Sequence, residues 1–445
     1  MTSSTGRRSA LAAGAALGAL LLAPVASAQE PAPVSAAACT GTHWVGSWAA
    51  APSDAGFFAA DGVDAPRPLV RQTVRMVVRP TLAGSTVRVR LSNRYGAESV
   101  QLGPATVARR AQGAAAVAGT VEPLRFRGQR ALTLAPGEEA VSDPVRLRVA
   151  AGRDVLVSLS VPGAVRAPSE HFVTNQTSYL TAVGEGDRTA DESGARFPLT
   201  TRSAFSNGWF FLSGLDVQAP RTTGAVVAFG NSITDGFQGL TNVLTENPAA
   251  LDANARYPDF LSRRLQASGR SAGVLNSGIS GNKVLTDAMA PVPFGDSALH
   301  RFARDVVALP GATDVIILEG VNDLNGSSAL TAAQLTTGLR TLVVRAQRAG
   351  LRAHLATLTP AGDDTAEGAG STERRRQQVN RWIRTQSGAD SVVDLDRALR
   401  DPASPADLRP DYDSSDHLHP SAAGYRAMAR AIDLRTLAAS SGGCR

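Results

Sequence analysis

Lysine is nearly missing from this chain of 445 residues: Lys283 is the one lysine among 45 basic side chains, so almost all positive charge is arginine. Those arginines are interspersed with 39 acidic residues and form no basic run or stripe. The net charge of +6 therefore lacks the footprint of a nucleic-acid-binding protein. No group of His, Cys and Asp has the spacing of metal ligands, and no glycine-rich turn has the spacing of a phosphate cradle. Neither a metal nor another cofactor is expected. Beyond the N-terminal segment no stretch is apolar and long enough to span a bilayer. Aromatic residues are scarce at 5%, yet 43% of the chain is hydrophobic and 19% charged, which is enough for packed cores and argues against disorder. The length suits two or three domains, and 42 glycines with 25 prolines favour a turn-rich chain.

The first residues read as an export signal. Arg7 and Arg8 precede an Ala/Leu stretch from Leu11 to Leu22, and Val25-Ala26-Ser27-Ala28 supplies small residues before Gln29. Cleavage is expected after about Ala28, giving a secreted protein; an N-terminal membrane anchor is the alternative, disfavoured because no flanking stop-transfer pattern appears. The arginine pair also permits twin-arginine export. Removal of residues 1–28 takes two arginines and no acid, so the charge falls from +6 to +4. Cysteine occurs only at Cys39 and Cys444, so one intramolecular pairing exists. In an oxidising compartment a bridge is expected, tying the two chain ends together. The alternatives are two free thiols or a lipoprotein site at Ala36-Ala37-Ala38-Cys39, which Pro31 and Pro33 disfavour by separating Cys39 from the apolar stretch.

Two grammars follow. From about Trp44 to Val217, two-residue periods recur: Val74, Met76 and Val78 alternate with Arg75, Val77 and Arg79, and Val87-Arg88-Val89-Arg90-Leu91 and Val145-Arg146-Leu147-Arg148-Val149 repeat the pattern. Such strands have one buried and one wet face, and Gly/Pro/Asn punctuation between them suits an antiparallel, sandwich-like β domain over 29–221. From about Thr222 strands and helices alternate. Apolar runs at Ala225–Phe229, Val274-Leu275, Val315–Leu318, Ala353–Leu358 and Val392–Leu395 are separated by helical patterns at Tyr257–Ala267, Leu299–Leu309, Thr331–Ala349, Thr372–Thr385 and Ala422–Ile432. That is an α/β domain over 222–445, with a doubly wound parallel sheet in three layers. Chemistry in such sheets sits beyond the carboxyl ends of the strands.

Polar turns occupy those ends. Gly230-Asn231-Ser232-Ile233-Thr234-Asp235-Gly236 follows the first strand, Asn276-Ser277-Gly278-Ile279-Ser280-Gly281-Asn282 the second, and Gly320-Val321-Asn322-Asp323 the third. Asp416-His417-Leu418-His419-Pro420 precedes the last helix. A nucleophile, a base, a group to hold the base and oxyanion donors are the parts serine hydrolysis needs. Both Asp235 and Asp323 suit loop bracing. Position 234 is Thr where a Gly-x-Ser-x-Gly elbow would need Gly.

These four motifs, in this order, resemble the SGNH, or GDSL-type, hydrolases, with a flavodoxin-like core. The resemblance implies Ser232 as nucleophile, Asp416 and His419 as acid and base, and Ser232, Gly281 and Asn322 as oxyanion donors. Asn231 departs from the family's usual Asp but keeps its hydrogen-bonding shape. A literal Gly295-Asp296-Ser297 lies elsewhere, after Pro291-Val292-Pro293-Phe294, which cannot be a central strand. Ser297 reads as a helix N-cap. His417 competes with His419 on spacing alone; the family pattern and Pro420 favour His419. The remaining histidines, His43, His171, His300 and His354, carry no motif; His171, Gln176 and Tyr179 read as polar residues on strand faces, with a place at the border of a site as the alternative.

Trp44-Val45-Gly46-Ser47-Trp48 and Gln176-Thr177-Ser178-Tyr179 resemble extracellular members that carry a β-rich domain before the hydrolase core. Trp44, Trp48, Trp209, Tyr95 and Tyr179 could form a glycan platform, but a scaffold packed on the hydrolase is the preferred reading. The expectation is a monomeric, secreted carboxylic esterase without cofactor. Its ester substrate would be a small molecule, a lipid, or an acetylated or cell-wall glycan. A catalytically idle carbohydrate- or surface-binding protein is the alternative.

Overall fold

The computed structural model describes residues 1, 40–55, 68–201, 208–242, 245–246, 249–288, 294–362 and 369–439. Residues 2–39, among them Cys39 and most of the expected export signal, lie outside the described residues, as do Cys444 and Pro291-Val292-Pro293.

The first half is built of antiparallel strands. The main ones are β1 (Thr42–Ala49), β2 (Leu69–Val78), β3 (Gly84–Ser92), β4 (Ala105–Gln112), β5 (Val155–Val165), the short β6 (Ser169–His171) and β7 (Leu212–Pro220). One sheet places β7 between β1 and β3, and a second places β5 between β2 and β4. In β3 the expected alternation holds, with Val87, Val89 and Leu91 buried between half-exposed arginines. It fails in β2. Arg75 is almost wholly buried rather than on a wet face. Its guanidinium donates to Ser158 Oγ and to the carbonyls of Ala114, Thr189 and Asp191, and it lies over the Phe197 ring. Loops cover the outer face of this sheet, so a position that reads as solvent in sequence becomes interior. Desolvation there lowers the Arg75 pKa to about 10, against the opposing charge of Asp191.

The second half is a five-stranded parallel sheet. Its strands are β8 (Ala225–Gly230), β9 (Gly273–Gly278), β10 (Ala312–Leu318), β11 (Arg352–Ala356) and β12 (Ser391–Val393), in the order β9-β8-β10-β11-β12. This is the flavodoxin-like order. Successive residues of β8 face opposite layers: Val227 and Phe229 join one core cluster, Val226 and Ala228 the other. The first layer is closed by α5 (Ala332–Arg348) and α6 (Ala369–Gln386), the second by α2 (Tyr257–Ala267) and α8 (Ala422–Ala431). The expected strand through Leu395 ends at Val393, because Asp394 accepts from Arg397 N and caps α7 (Leu395–Leu399). The expected helix from Leu299 to Leu309 is α3 (Ala298–Phe302), continued by a π-turn over Ala303–Val307.

The described residues from 40 to 439 form one compact unit, and apolar residues of both halves share one core cluster. The edge strand β9 is covered by β1. A Cβ on Gly273 would lie 2.2 Å from the Gly46 carbonyl, and Val274 exchanges hydrogen bonds with Thr81 Oγ1. The β half thus hides an edge that would otherwise invite foreign strands. Trp48 and Trp209 are buried in this half, packed edge-to-face at 4.8 Å, and Tyr179 is buried too. These three rings are core, not an open glycan platform.

Candidate active site

Beyond β8, Asn231 turns the chain. Its side chain accepts from Ile233 N at 3.1 Å, capping the one-turn helix α1 (Ser232–Asp235). Asn and Asp are comparable N-caps, so the departure from the family pattern leaves this turn intact. Gly230 is required here, since a Cβ would meet Thr234 Oγ1 at 2.1 Å and the Leu318 carbonyl at 2.5 Å.

The loop before α8 returns to this turn. His419 Nε2 lies 2.8 Å from Ser232 Oγ, and His419 Nδ1 lies 2.6 Å from Asp416 Oδ2. A carboxylate only accepts, so Nδ1 carries the proton and Nε2 of the neutral ring accepts from the serine hydroxyl. Asp416 Oδ1 accepts from the backbone N–H of His419 and Leu418, which fixes the carboxylate. Burial pushes its pKa up, but the His419 hydrogen bond and charge, with those two N–H groups, prevail and hold it at about 2. The Phe237 ring packs edge-on against the imidazole at 4.7 Å. His417 turns elsewhere: at φ +62° its exposed ring pairs with Asp413 at 2.9 Å.

The expected oxyanion donors converge from two further strand ends. Gly281 has φ +78°, and a Cβ would lie 2.3 Å from the Phe294 ring, so only glycine fits. Neither its N–H nor that of Ser232 has a partner among the described residues. Asn322, on α4 (Val321–Asn325), donates one amide hydrogen to the Asn282 carbonyl at 2.9 Å, and the amide has a second. Asp323 accepts from the Val284 and Leu285 amides, and Asp235 from Ser280 N and Oγ. Both brace loops, as expected. Ser297 caps α3 by accepting from His300 N, and Asp296 pairs with Arg94 and Arg304.

One participant, Arg301, escapes the sequence reading, and a second, His171, reads there as a strand-face residue. Arg301 is fully buried and donates to the carbonyls of Gly230 and Ser277, to Asn282 Oδ1, to Asp305 and to Glu319 Oε1. One guanidinium thus joins the ends of β8, β9 and β10. An arginine on the apolar face made by Ala298, Phe302 and Val306 was the available signal. His171 reaches Asp235 across 64 residues of sequence, for which no local signal exists.

Ser232, His419 and Asp416 thus form a serine–imidazole–carboxylate array at the carboxyl ends of a 2-1-3-4-5 parallel sheet. Residues 228–427 match the GDSL-like Lipase/Acylhydrolase family, and this part of the chain is a carboxylic ester hydrolase domain of that SGNH/GDSL type. Among solved structures it is similar to a GDSL-like lipase from Bacteroides thetaiotaomicron VPI-5482, at 20% identity over 48% of this chain and 87% of that one, with TM-score 0.33. It is similar also to an inhibitor-bound aryl esterase of M. smegmatis, at 16% identity over 46% and 94%, TM-score 0.37. A third likeness is to an acetyl-xylooligosaccharide esterase from Geobacillus Stearmophilus, at 24% over 48% and 95%, TM-score 0.34. No curated protein matches the chain.

Proposed function

We propose that the protein is a secreted serine esterase working through Ser232, His419 and Asp416. The observation that carries this is the 2.8 Å contact of His419 Nε2 with Ser232 Oγ, in a ring whose other nitrogen is held by Asp416. His419 takes the hydroxyl proton as Oγ attacks the ester carbonyl carbon, and the carbonyl electron pair moves onto oxygen. The amides of Ser232 and Gly281 and the side chain of Asn322 receive that oxyanion. The alcohol leaves with the proton from His419, and water, deprotonated by the same imidazole, releases the acid and restores Ser232. None of these steps calls on a metal or another cofactor. The idle-binder alternative leaves the preserved Ser232–His419–Asp416 array without a purpose.

The substrate class proposed is a small-molecule or glycan ester, with lipid esters as the competing case. A p-nitrophenyl ester series from acetate to palmitate separates them: activity confined to short chains supports the first, a rise toward palmitate the second. Secretion is part of the proposal, as is a bridge between Cys39 and Cys444. It is supported by where the described ends lie. Gly41 O accepts from Arg221 N, His43 Nε2 contacts Thr223 O, and Ala439 O accepts from Gly224 N, so both ends meet the junction of the two halves.

A further inference from the structure

The helix carrying Ser232 is four residues long and ends at Gly236 with φ +101°. One turn does not hold itself, because helix nucleation is unfavourable without further turns or packing. Both halves support it. From the hydrolase half Asn276 Nδ2 donates to the Thr234 carbonyl at 3.0 Å; from the β half Asn175 Nδ2 donates to the Gly236 carbonyl at 2.8 Å, and His171 Nε2 lies 3.0 Å from Asp235 Oδ1. The His171 and Asp235 side chains are 4% and 3% exposed.

The partners of His171 fix its protonation. Nδ1 faces the Ala51 carbonyl at 2.7 Å, and Nε2 faces the Val173 carbonyl at 3.0 Å as well as Asp235. Carbonyl and carboxylate oxygens only accept, so both ring nitrogens must carry hydrogen and the ring is an imidazolium. Asp235 then works in two directions. Oδ1 takes the imidazolium, while Oδ2 takes Ser280 N at 3.0 Å and Ser280 Oγ at 2.8 Å. Ser280 immediately precedes Gly281.

We propose that His171 is a positioning residue of the hydrolase site: through Asp235 it sets both the nucleophile's helix and the loop that presents the Gly281 amide. The proposal rests on the serine-esterase reading above. It gives the β half a part in catalysis, since the hydrolase half supplies the nucleophile but not the cation that anchors its turn. A loose Asp235 would let Ser232 and Gly281 drift relative to each other, which costs transition-state stabilisation more than ground-state binding.

A pH signature follows. Burial pushes the imidazole pKa down, but the charge and hydrogen bond of Asp235, with the Ala51 carbonyl, more than reverse this and raise it. Around the pair stand Arg256 at the N-cap of α2, Asp259 on α2, Arg79 of the β half, and Tyr425 on α8. Arg256 opposes the raised value. A raised folded pKa means the contribution is complete below the unfolded value of about 6.5 and is lost as pH rises through the folded one. Above it, a bare ring nitrogen would confront a carbonyl oxygen.

The test compares wild type, His171→Ala, His171→Gln and Ser280→Ala on p-nitrophenyl acetate from about pH 6 to about pH 10, with thermal midpoints and fluorophosphonate labelling at Ser232. In His171→Ala, kcat should fall by up to about 10²-fold with KM near wild type, as sub-ångström to 1 Å misplacement does. His171→Gln, which keeps a donor toward Asp235, should recover part of that loss and lack the alkaline decline of the wild type. A folded His171→Ala with wild-type kcat, or an alkaline decline unchanged in His171→Gln, overturns the proposal. Should neither variant fold, Ser280→Ala decides: it keeps the backbone N–H bond and removes the hydroxyl one. A lowered kcat at unchanged KM and midpoint supports the proposal, and wild-type kcat overturns it. A wild-type enzyme that is not labelled at Ser232, or is still active as Ser232→Ala, would instead sink the serine-esterase reading itself.

Discussion

Ser232 Oγ and His419 Nε2 stand 2.8 Å apart although 187 residues separate them in the chain. The contact joins the first strand end of the parallel sheet to the loop before its last helix. It exists because β8 and the loop at residues 413–420 open on the same edge. The loop is itself set by local bonds: Ser414 N donates to the His419 carbonyl, and Asp413 pairs across to Pro420.

Ser232→Ala should abolish esterase activity, while Ser297→Ala leaves it close to wild type. The reason is positional: Ser297 Oγ serves the His300 backbone N–H and has no imidazole base, whereas Ser232 has one. Hydrolysis of p-nitrophenyl acetate, with fluorophosphonate labelling mapped by mass spectrometry, checks this. Equal losses in two folded variants would refute it.

Asp416 stays ionised down to about pH 2. Its folded pKa lies below the unfolded value of about 3.9, so its contribution to stability is present above pH 4 or so and is lost as pH falls toward 2. An acid unfolding series should show that loss in the wild type and a shallower one in Asp416→Asn. In the same variant kcat at neutral pH should drop by up to about 10⁴-fold, because an amide can favour the wrong imidazole tautomer.

Asn322→Ala should lower kcat by about 10²–10³-fold with little change in KM, the effect of deleting one oxyanion donor. A change confined to KM would make Asn322 a ground-state contact. Gly281→Ala should cost about 1–2 kcal/mol for the left-handed backbone alone, before the clash with Phe294, and should lower kcat as well. Steady-state kinetics beside thermal unfolding separate the two effects.

The Cys39–Cys444 bridge should appear in mass spectra of non-reduced peptides from secreted protein, and reduction should lower the thermal midpoint. In the chain-entropy model a closed loop of more than 100 residues gains about 5 kcal/mol, although real bridges often give less. Two free thiols in that protein would remove the bridge. Packing of the halves would still stand on the shared core.

The sequence by itself determined the alternation of strands and helices after Thr222, three polar turns at strand ends and one before the last helix, while the family resemblance implied which of their residues form the site. These features are local: a buried parallel strand must be apolar on both faces, and a turn beyond it must be polar or glycine. Ser297 was legible as a cap for the same reason. The tertiary structure decided what local pattern does not carry. His417 and His419 both have an Asp within four residues, and only the backbone turn at His417 sends one ring to Asp413 and leaves the other facing Ser232. Arg75 looked solvated because alternation reports which side of a strand a residue takes, not whether a distant loop covers that side. His171 and Arg301 carried no motif, because their partners come from other strands and loops. Asp235 meets His171, and Gly230, Ser277, Asn282 and Glu319 meet Arg301, only when the two halves and the three strand ends are packed, since a buried cation must find its acceptors wherever the fold provides them.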